Sequence, residues 1–222
     1  MEHHVIRSYG RTRAHGLSQS QKDKLQNLYR VYGIELSSEN TKPIELFSSH
    51  FKTIAFEIGF GNGEHIIEMA KRNPQVGFIG CEPFENGVVT TLSAIEREGL
   101  NNVRIYNGDA RNLLDVLHDH SLDRVYILFP DPWRKNRHHK RRLISENLLV
   151  QLKTKIKPCG CLVIATDHAN YRNDILHNLR ISGMSLDEEM IYLRPACFVG
   201  TKYEKKAEKR GDPCAYMRIV MI

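Results

Sequence analysis

From Thr53 to Ser182, short apolar runs alternate with stretches whose apolar residues recur at helical spacing, and this rhythm limits the possible folds more than any other feature. Strands are expected at Thr53–Ile58, Val76–Cys81, Val103–Tyr106, Arg124–Phe129 and Gly160–Thr166. Helices are expected between and after them, at Gly63–Arg72, Glu85–Glu98, Ala110–Leu117, Leu143–Ile156 and Tyr171–Ser182. Such alternation predicts an α/β domain with a mainly parallel sheet. Sheets of this kind bind ligands beyond the carboxyl ends of their strands, so the loops there are the places to look for chemistry. Upstream, Leu25, Leu28 and Tyr29 fall at helical spacing with Gly33 as a stop, predicting a short helix over 18–32 behind an irregular arm. Downstream, Met190–Leu193 and Tyr216–Ile222 read as two strands joined by a charged loop.

Composition narrows the class. A chain of 222 residues suits one domain, or one with an appendage, and 41% hydrophobic with 26% charged residues excludes wholesale disorder. The longest apolar runs, Val125–Phe129 and Cys161–Ala165, are far short of the roughly 20 residues a bilayer span needs, so no membrane association is expected. The start, Met1-Glu2-His3-His4-Val5-Ile6-Arg7, lacks the apolar stretch of a secretory signal. Five cysteines without a CxxC pair predict reduced thiols, no metal site and a cytoplasmic setting.

Fourteen of the 32 lysines and arginines fall in three segments: Arg7, Arg11 and Arg13; Arg134, Lys135, Arg137, Lys140, Arg141 and Arg142; and Lys202, Lys205, Lys206, Lys209 and Arg210. One charge run is usually a solvated face; three, in an arm and two loops, point to a polyanionic partner.

The first strand runs into Glu57-Ile58-Gly59-Phe60-Gly61-Asn62-Gly63-Glu64, a turn whose glycines let a ligand approach the backbone closely. Dinucleotides and S-adenosylmethionine both use such turns. The dinucleotide pattern wants a third glycine where Glu64 stands, and Glu57 at the mouth of the turn would repel a pyrophosphate. A carboxylate there suits a ligand bearing an ammonium and a sulfonium. Glu82, ending the second strand, is placed to accept from ribose hydroxyls, and Asp109, after the third, from an adenine amino group. Each acid alone reads equally well as a helix cap or turn residue. After the fourth strand comes Phe129-Pro130-Asp131-Pro132-Trp133, an acid stiffened by two prolines where a transferred methyl group would lie. Trp133 fits either stacking on a base or packing under the loop.

Glu57-Ile58-Gly59-x-Gly61-Asn62-Gly63, Phe129-Pro130-Asp131-Pro132-Trp133, Lys135-x-Arg137-His138-x-Lys140-Arg141-Arg142, Thr166-Asp167 and Thr201-Lys202-Tyr203-Glu204 together resemble the tRNA (guanine-N7-)-methyltransferases, in the right order over nearly the whole chain. The basic arm Arg7-Ser8-Tyr9-Gly10-Arg11 is similar too. The resemblance implies a Rossmann-like class I methyltransferase fold, with a seven-stranded, mostly parallel sheet and helices on both faces. Residues 1–35 would form a basic arm and short helix, and 36–222 the methyltransferase domain. S-adenosylmethionine would be the donor and guanine N7 in the tRNA variable loop the acceptor. Glu57, Glu82, Asp109 and Asp131 would contact the cofactor, joined by Gly59, Gly61, Gly63 and Ala110, with Asp131 nearest the chemistry. Lys135, Asp167, Thr201, Lys202, Tyr203 and Glu204 would form the substrate side.

Guanine N7 offers a lone pair and has no proton to lose, so positioning and stabilisation of growing positive charge are the expected means of catalysis. Asp131, Asp167 and Glu204 are the candidate carboxylates. Rival readings are N7 methylation of ribosomal RNA or a cap guanine, a nicotinamide-dependent oxidoreductase, and a catalytically silent RNA-binding protein.

Overall fold

A computed structural model describes residues 16–36, 41–47, 51–184 and 198–222. Six strands form one sheet: β1 (Thr53–Ile58), β2 (Val76–Cys81), β3 (Val103–Tyr106), β4 (Leu122–Leu128), β5 (Ile156–Thr166) and β6 (Ala215–Val220). Their order is β3-β2-β1-β4-β5-β6, all parallel except β6, which runs antiparallel to β5. The expected strand at Met190–Leu193 lies outside the described residues, so the sheet has six strands among those described rather than the seven expected.

Both faces of the sheet are covered, and the strand sequences show why. Along β4 and β5, Val125, Ile127, Leu162 and Ile164 enter one core, while Tyr126, Leu128, Val163 and Ala165 enter the other. Strands buried on two sides read as continuous apolar runs rather than alternating ones. The first core is closed by α4 (Ala110–Val116), α5 (Glu146–Lys155) and α6 (Ala169–Ile181). The second is closed by α1 (Gln19–Tyr32), α2 (Glu64–Arg72) and α3 (Glu85–Glu98). Ser18 caps α1, and Leu28 is its buried anchor; the helix packs along α3 and β3, and Gly33 bridges to Ile105.

Two expectations are corrected. The charged segment after residue 201 is not a loop but α7 (Lys202–Arg210). The Thr201 hydroxyl accepts from the Glu204 N–H at 3.2 Å, and Gly211 in the left-handed region ends the helix. Helix α5 also begins three residues later than expected, where Ser145 caps it.

Strand order reverses between β1 and β4, which opens a crevice at the carboxyl ends of the strands. Register levels that rim. Ile58 lies opposite both Cys81 and Ile127, and Cys81 opposite Tyr106. Hydrogen bonds carry the alignment into the turns: Gly59 N–H to the Cys81 carbonyl (2.8 Å), Glu82 N–H to Tyr106 (3.1 Å), and Phe129 N–H to Ala165 (2.7 Å). Among the described residues no helix is long and apolar enough to cross a membrane, and no group of three or more His, Cys, Asp or Glu is placed to hold a metal. Cys81, Cys159, Cys161 and Cys214 are free thiols.

Candidate active site

A cleft of about 550 Å³ occupies that crevice. Its floor is the turn after β1, in which Gly59, Gly61 and Gly63 all have left-handed φ (77°, 60° and 81°), a path other residues follow only under strain. The turn is seated on α3 through Gly87, where a Cβ would stand 2.1 Å from the Gly61 carbonyl oxygen. Sequence reading passes over Gly87; a glycine inside a helix is the signal that marks it.

Glu82 locks the turn from the next strand. One carboxylate oxygen accepts from the Gly61 N–H at 2.8 Å and the other from Phe84 N–H at 3.0 Å. Burial pushes its pKa up to about 6 against the pull of those two bonds, and the negative charges of Asp131 and Glu57 push the same way. At Glu82 itself burial is the larger cause and the neighbouring acids add to it; Lys140, Arg141 and Arg142 line the same cleft.

The structure separates the acids that the sequence groups together. Glu82, Asp109 and Asp131 all line the cleft, with Gly59, Gly61 and Ala110. Asp109 caps α4 through the Arg111 N–H (3.0 Å) and grips the Arg111 side chain at 2.8 and 2.6 Å, so both the capping and the site readings meet in one residue. Glu57 lies deeper, only 4% exposed, and its carboxylate meets His65 Nδ1 at 2.7 Å. It borders a cavity of about 20 Å³, beside Gly59 and Thr201, rather than the main cleft. The His65 ring packs between Tyr126 and Phe198 at centroid distances of 5.0 and 5.1 Å.

Asp131 stands exposed at the mouth, in a loop bracketed by two non-glycine residues of positive φ, Phe129 (52°) and Trp133 (44°). Trp133 packs within its own loop, with the Arg141 guanidinium 5.0 Å from its ring and His138 edge-on at 5.8 Å, and it still lines the cleft. Lys135 is exposed and precedes a 3₁₀ turn, Asn136–Arg141. Arg142 departs from the basic run around it: it is 8% exposed and bonded to Pro132, Asn170 and Asp174. The run is therefore not uniformly available to phosphates.

Opposite stands α7. Tyr203 lines the cleft at 46% exposure; burial of its ring, then the charges of Asp131, Glu82 and Glu64, hold its phenol pKa above the ordinary value. Lys202 leans on Glu64 at 3.6 Å, and Asp167 accepts from Arg210 at 2.5 Å. Glu204 does not face the cleft: it is 3% exposed and accepts a hydrogen bond from the Tyr216 hydroxyl, which ties α7 to β6. Thr201 is likewise buried as the cap of α7.

Comparison with known proteins places this geometry in context. A family model described as "Putative methyltransferase" matches residues 52–217. The chain is 40% identical over 219 residues to a tRNA (guanine-N(7)-)-methyltransferase of Caulobacter vibrioides, covering 96% of this chain and 93% of that one. It is 38% identical over 214 residues to the enzyme of the same name from Rhizobium johnstonii, covering 94% and 92%. Among solved structures, the 16S rRNA methyltransferase KamB superposes with a TM-score of 0.58 at 14% identity, covering 86% of this chain and 98% of that one, a likeness of fold alone.

Proposed function

The chain belongs to the tRNA (guanine-N7-)-methyltransferase family, and from that membership we propose that it moves a methyl group from S-adenosylmethionine to N7 of a guanine in the tRNA variable loop. One observation carries the reading at the level of the site. A single cleft gathers Gly59, Gly61, Glu82, Asp109 and Asp131 from the ends of four neighbouring parallel strands, with Trp133 and Tyr203 at its rim. Its volume suits a nucleoside-sized ligand. Of the cations that line it, Arg111 is paired with Asp109, Arg142 with Asp174, and the Arg141 guanidinium lies over the Trp133 ring.

On this reading the glycine turn receives the donor's backbone-facing edge, Glu82 accepts from ribose hydroxyls, and Asp109 with Ala110 borders the base. Glu57, fixed by His65, supplies negative charge beneath the turn. Bound there, S-adenosylmethionine supplies an electrophilic methyl carried on a sulfonium. Asp131 faces the place where guanine must enter, and its carboxylate offsets the positive charge that grows on the purine. Asp167 accepts from guanine N1–H and the exocyclic amine once Arg210 yields it, a pairing adenine cannot offer. Lys135, Lys202 and Tyr203 border the RNA, whereas Thr201 and Glu204 serve it by holding α7. Residues 36–222 form the catalytic domain, 1–35 add the arm and helix, and the setting is the cytoplasm.

Incubating the protein with methyl-labelled S-adenosylmethionine and unmodified tRNA, then digesting the RNA, should yield labelled 7-methylguanosine. Label absent from tRNA but present in ribosomal RNA would move the acceptor. A melting temperature raised by a nicotinamide coenzyme and not by S-adenosylmethionine would overturn the reading.

A further inference from the structure

The loop that carries Asp131 is stiffened by its prolines but short of hydrogen-bond donors and strained at both ends. Pro130 and Pro132 have no N–H to donate, and Phe129 and Trp133 sit at φ of 52° and 44°. A left-handed non-glycine residue is strained and persists only when its surroundings over-determine it. Arg142 provides such surroundings. Its Nε donates to the Pro132 carbonyl at 2.9 Å, and its two terminal nitrogens donate to Asn170 Oδ1 (2.8 Å) and to the Asp174 carboxylate, both on α6. Its flat face lies 4.7 Å from the centre of the Tyr171 ring. That ring is wholly buried and pinned in turn, its hydroxyl accepting from the Ile144 N–H at 3.1 Å.

We propose that Arg142 is a positioning residue: its guanidinium ties the Pro132 carbonyl to α6 and so holds the Asp131 carboxylate where methyl transfer needs it, instead of binding RNA phosphate like its exposed neighbours. The proposal rests on the function proposed above. Planarity is what the role requires, because one fork reaches a carbonyl, an amide and a carboxylate while stacking on an aromatic ring. An ammonium can do only part of this.

Trp133 is the chain's single tryptophan and belongs to the loop, so its fluorescence reports the loop directly. The test compares Arg142→Lys with Asp174→Asn, which loosens the far end of the clamp without touching the basic run. Arg142→Lys should lower kcat by about 10²-fold, as a displacement of about 1 Å does, and make Trp133 more open to acrylamide quenching. KM for both substrates should stay within about twofold, and Asp174→Asn should show a smaller fall of the same kind. A raised KM for tRNA with a shallower salt dependence would show a phosphate contact and overturn the proposal. So would a fall in kcat with Trp133 quenching unchanged, or more open quenching with kcat unchanged. Should Arg142→Lys fail to fold, Asp174→Asn decides by the same readouts. Wild-type protein that transfers no methyl to tRNA would overturn the proposed function instead.

Discussion

The two walls of the cleft are ordered over different distances. On the wall proposed for the cofactor, the turns after β1, β2 and β3 are set by backbone bonds across the sheet and by Glu82, which grips Gly61 and Phe84 while buried. On the wall proposed to face RNA, Asp131 and Tyr203 stand on a proline-rich loop and a charged helix whose ties reach far along the chain: Arg142 to Asp174, Asp167 to Arg210 and Glu64 to Lys202. The first wall resembles a preformed cast; on the second the Arg142 clamp is buried, whereas the Asp167–Arg210 and Glu64–Lys202 pairs are partly exposed and a polyanion can compete for them. Pairs that are partly exposed contribute little to stability, so exchanging them for phosphate contacts costs little.

Removing Asp131 should separate the two walls most sharply. Asp131→Ala is expected to slow single-turnover methyl transfer by roughly 10²–10³-fold, as loss of one transition-state-stabilising group does, while tRNA affinity by filter binding hardly changes. Equal losses in both would mean that the carboxylate serves binding.

Gly87→Ala tests the cast itself. A methyl group 2.1 Å from the Gly61 carbonyl must displace the turn. The variant should lose about 1–3 kcal/mol in denaturant melts and weaken S-adenosylmethionine binding by calorimetry, leaving tRNA affinity intact.

Glu82 gives the cofactor wall a pH dependence. Its folded pKa of about 6 lies above the ordinary carboxylate value, so the protonated form is favoured by folding and apo-protein stability falls as pH rises from about 4.5 through 6. Glu82→Gln should therefore flatten apo stability between about pH 4.5 and 6 in melts across pH, while weakening the turn, since an amide has one accepting oxygen for the two N–H groups of Gly61 and Phe84. Donor binding has the opposite sign, because a cationic, hydroxyl-bearing ligand wants the ionised form. Affinity should rise with pH through about 6, with proton release on binding near that pH, measured by calorimetry in buffers of different ionisation enthalpy.

The smallest effect belongs to the RNA wall. Lys205→Ala and Lys206→Ala should each reduce the slope of log affinity against log salt by about 0.7–0.9 per lost phosphate contact, with donor affinity unchanged. An unaltered slope would mark α7 as a solvated face.

Much of this division is legible in the sequence, for identifiable reasons. The glycine turn shows itself because left-handed φ selects glycine locally, and strand ends show themselves because two-sided burial leaves unbroken apolar runs. Helix α7 is harder to see, since apolar periodicity is the main helical signal and it offers little beyond Tyr203 and Ala207. Its Thr-x-x-Glu start and Gly211 stop are the signals that could have found it. The acids are the hardest. Glu57 and Glu204 match Glu82 and Asp131 in charge and motif, yet the fold turns them onto His65 and Tyr216.

What the amino-acid order determined alone is the alternation of elements, the path of the glycine turn and the placing of acids at strand ends. Each follows from constraints that act within a few residues. Only the tertiary structure decided which carboxylates face the cleft, and which arginine of a basic run becomes a buried clamp. The physical reason is that an ionised side chain takes its role from the partner that compensates its desolvation. For Arg142 that partner lies 32 residues away on α6, brought near only by packing.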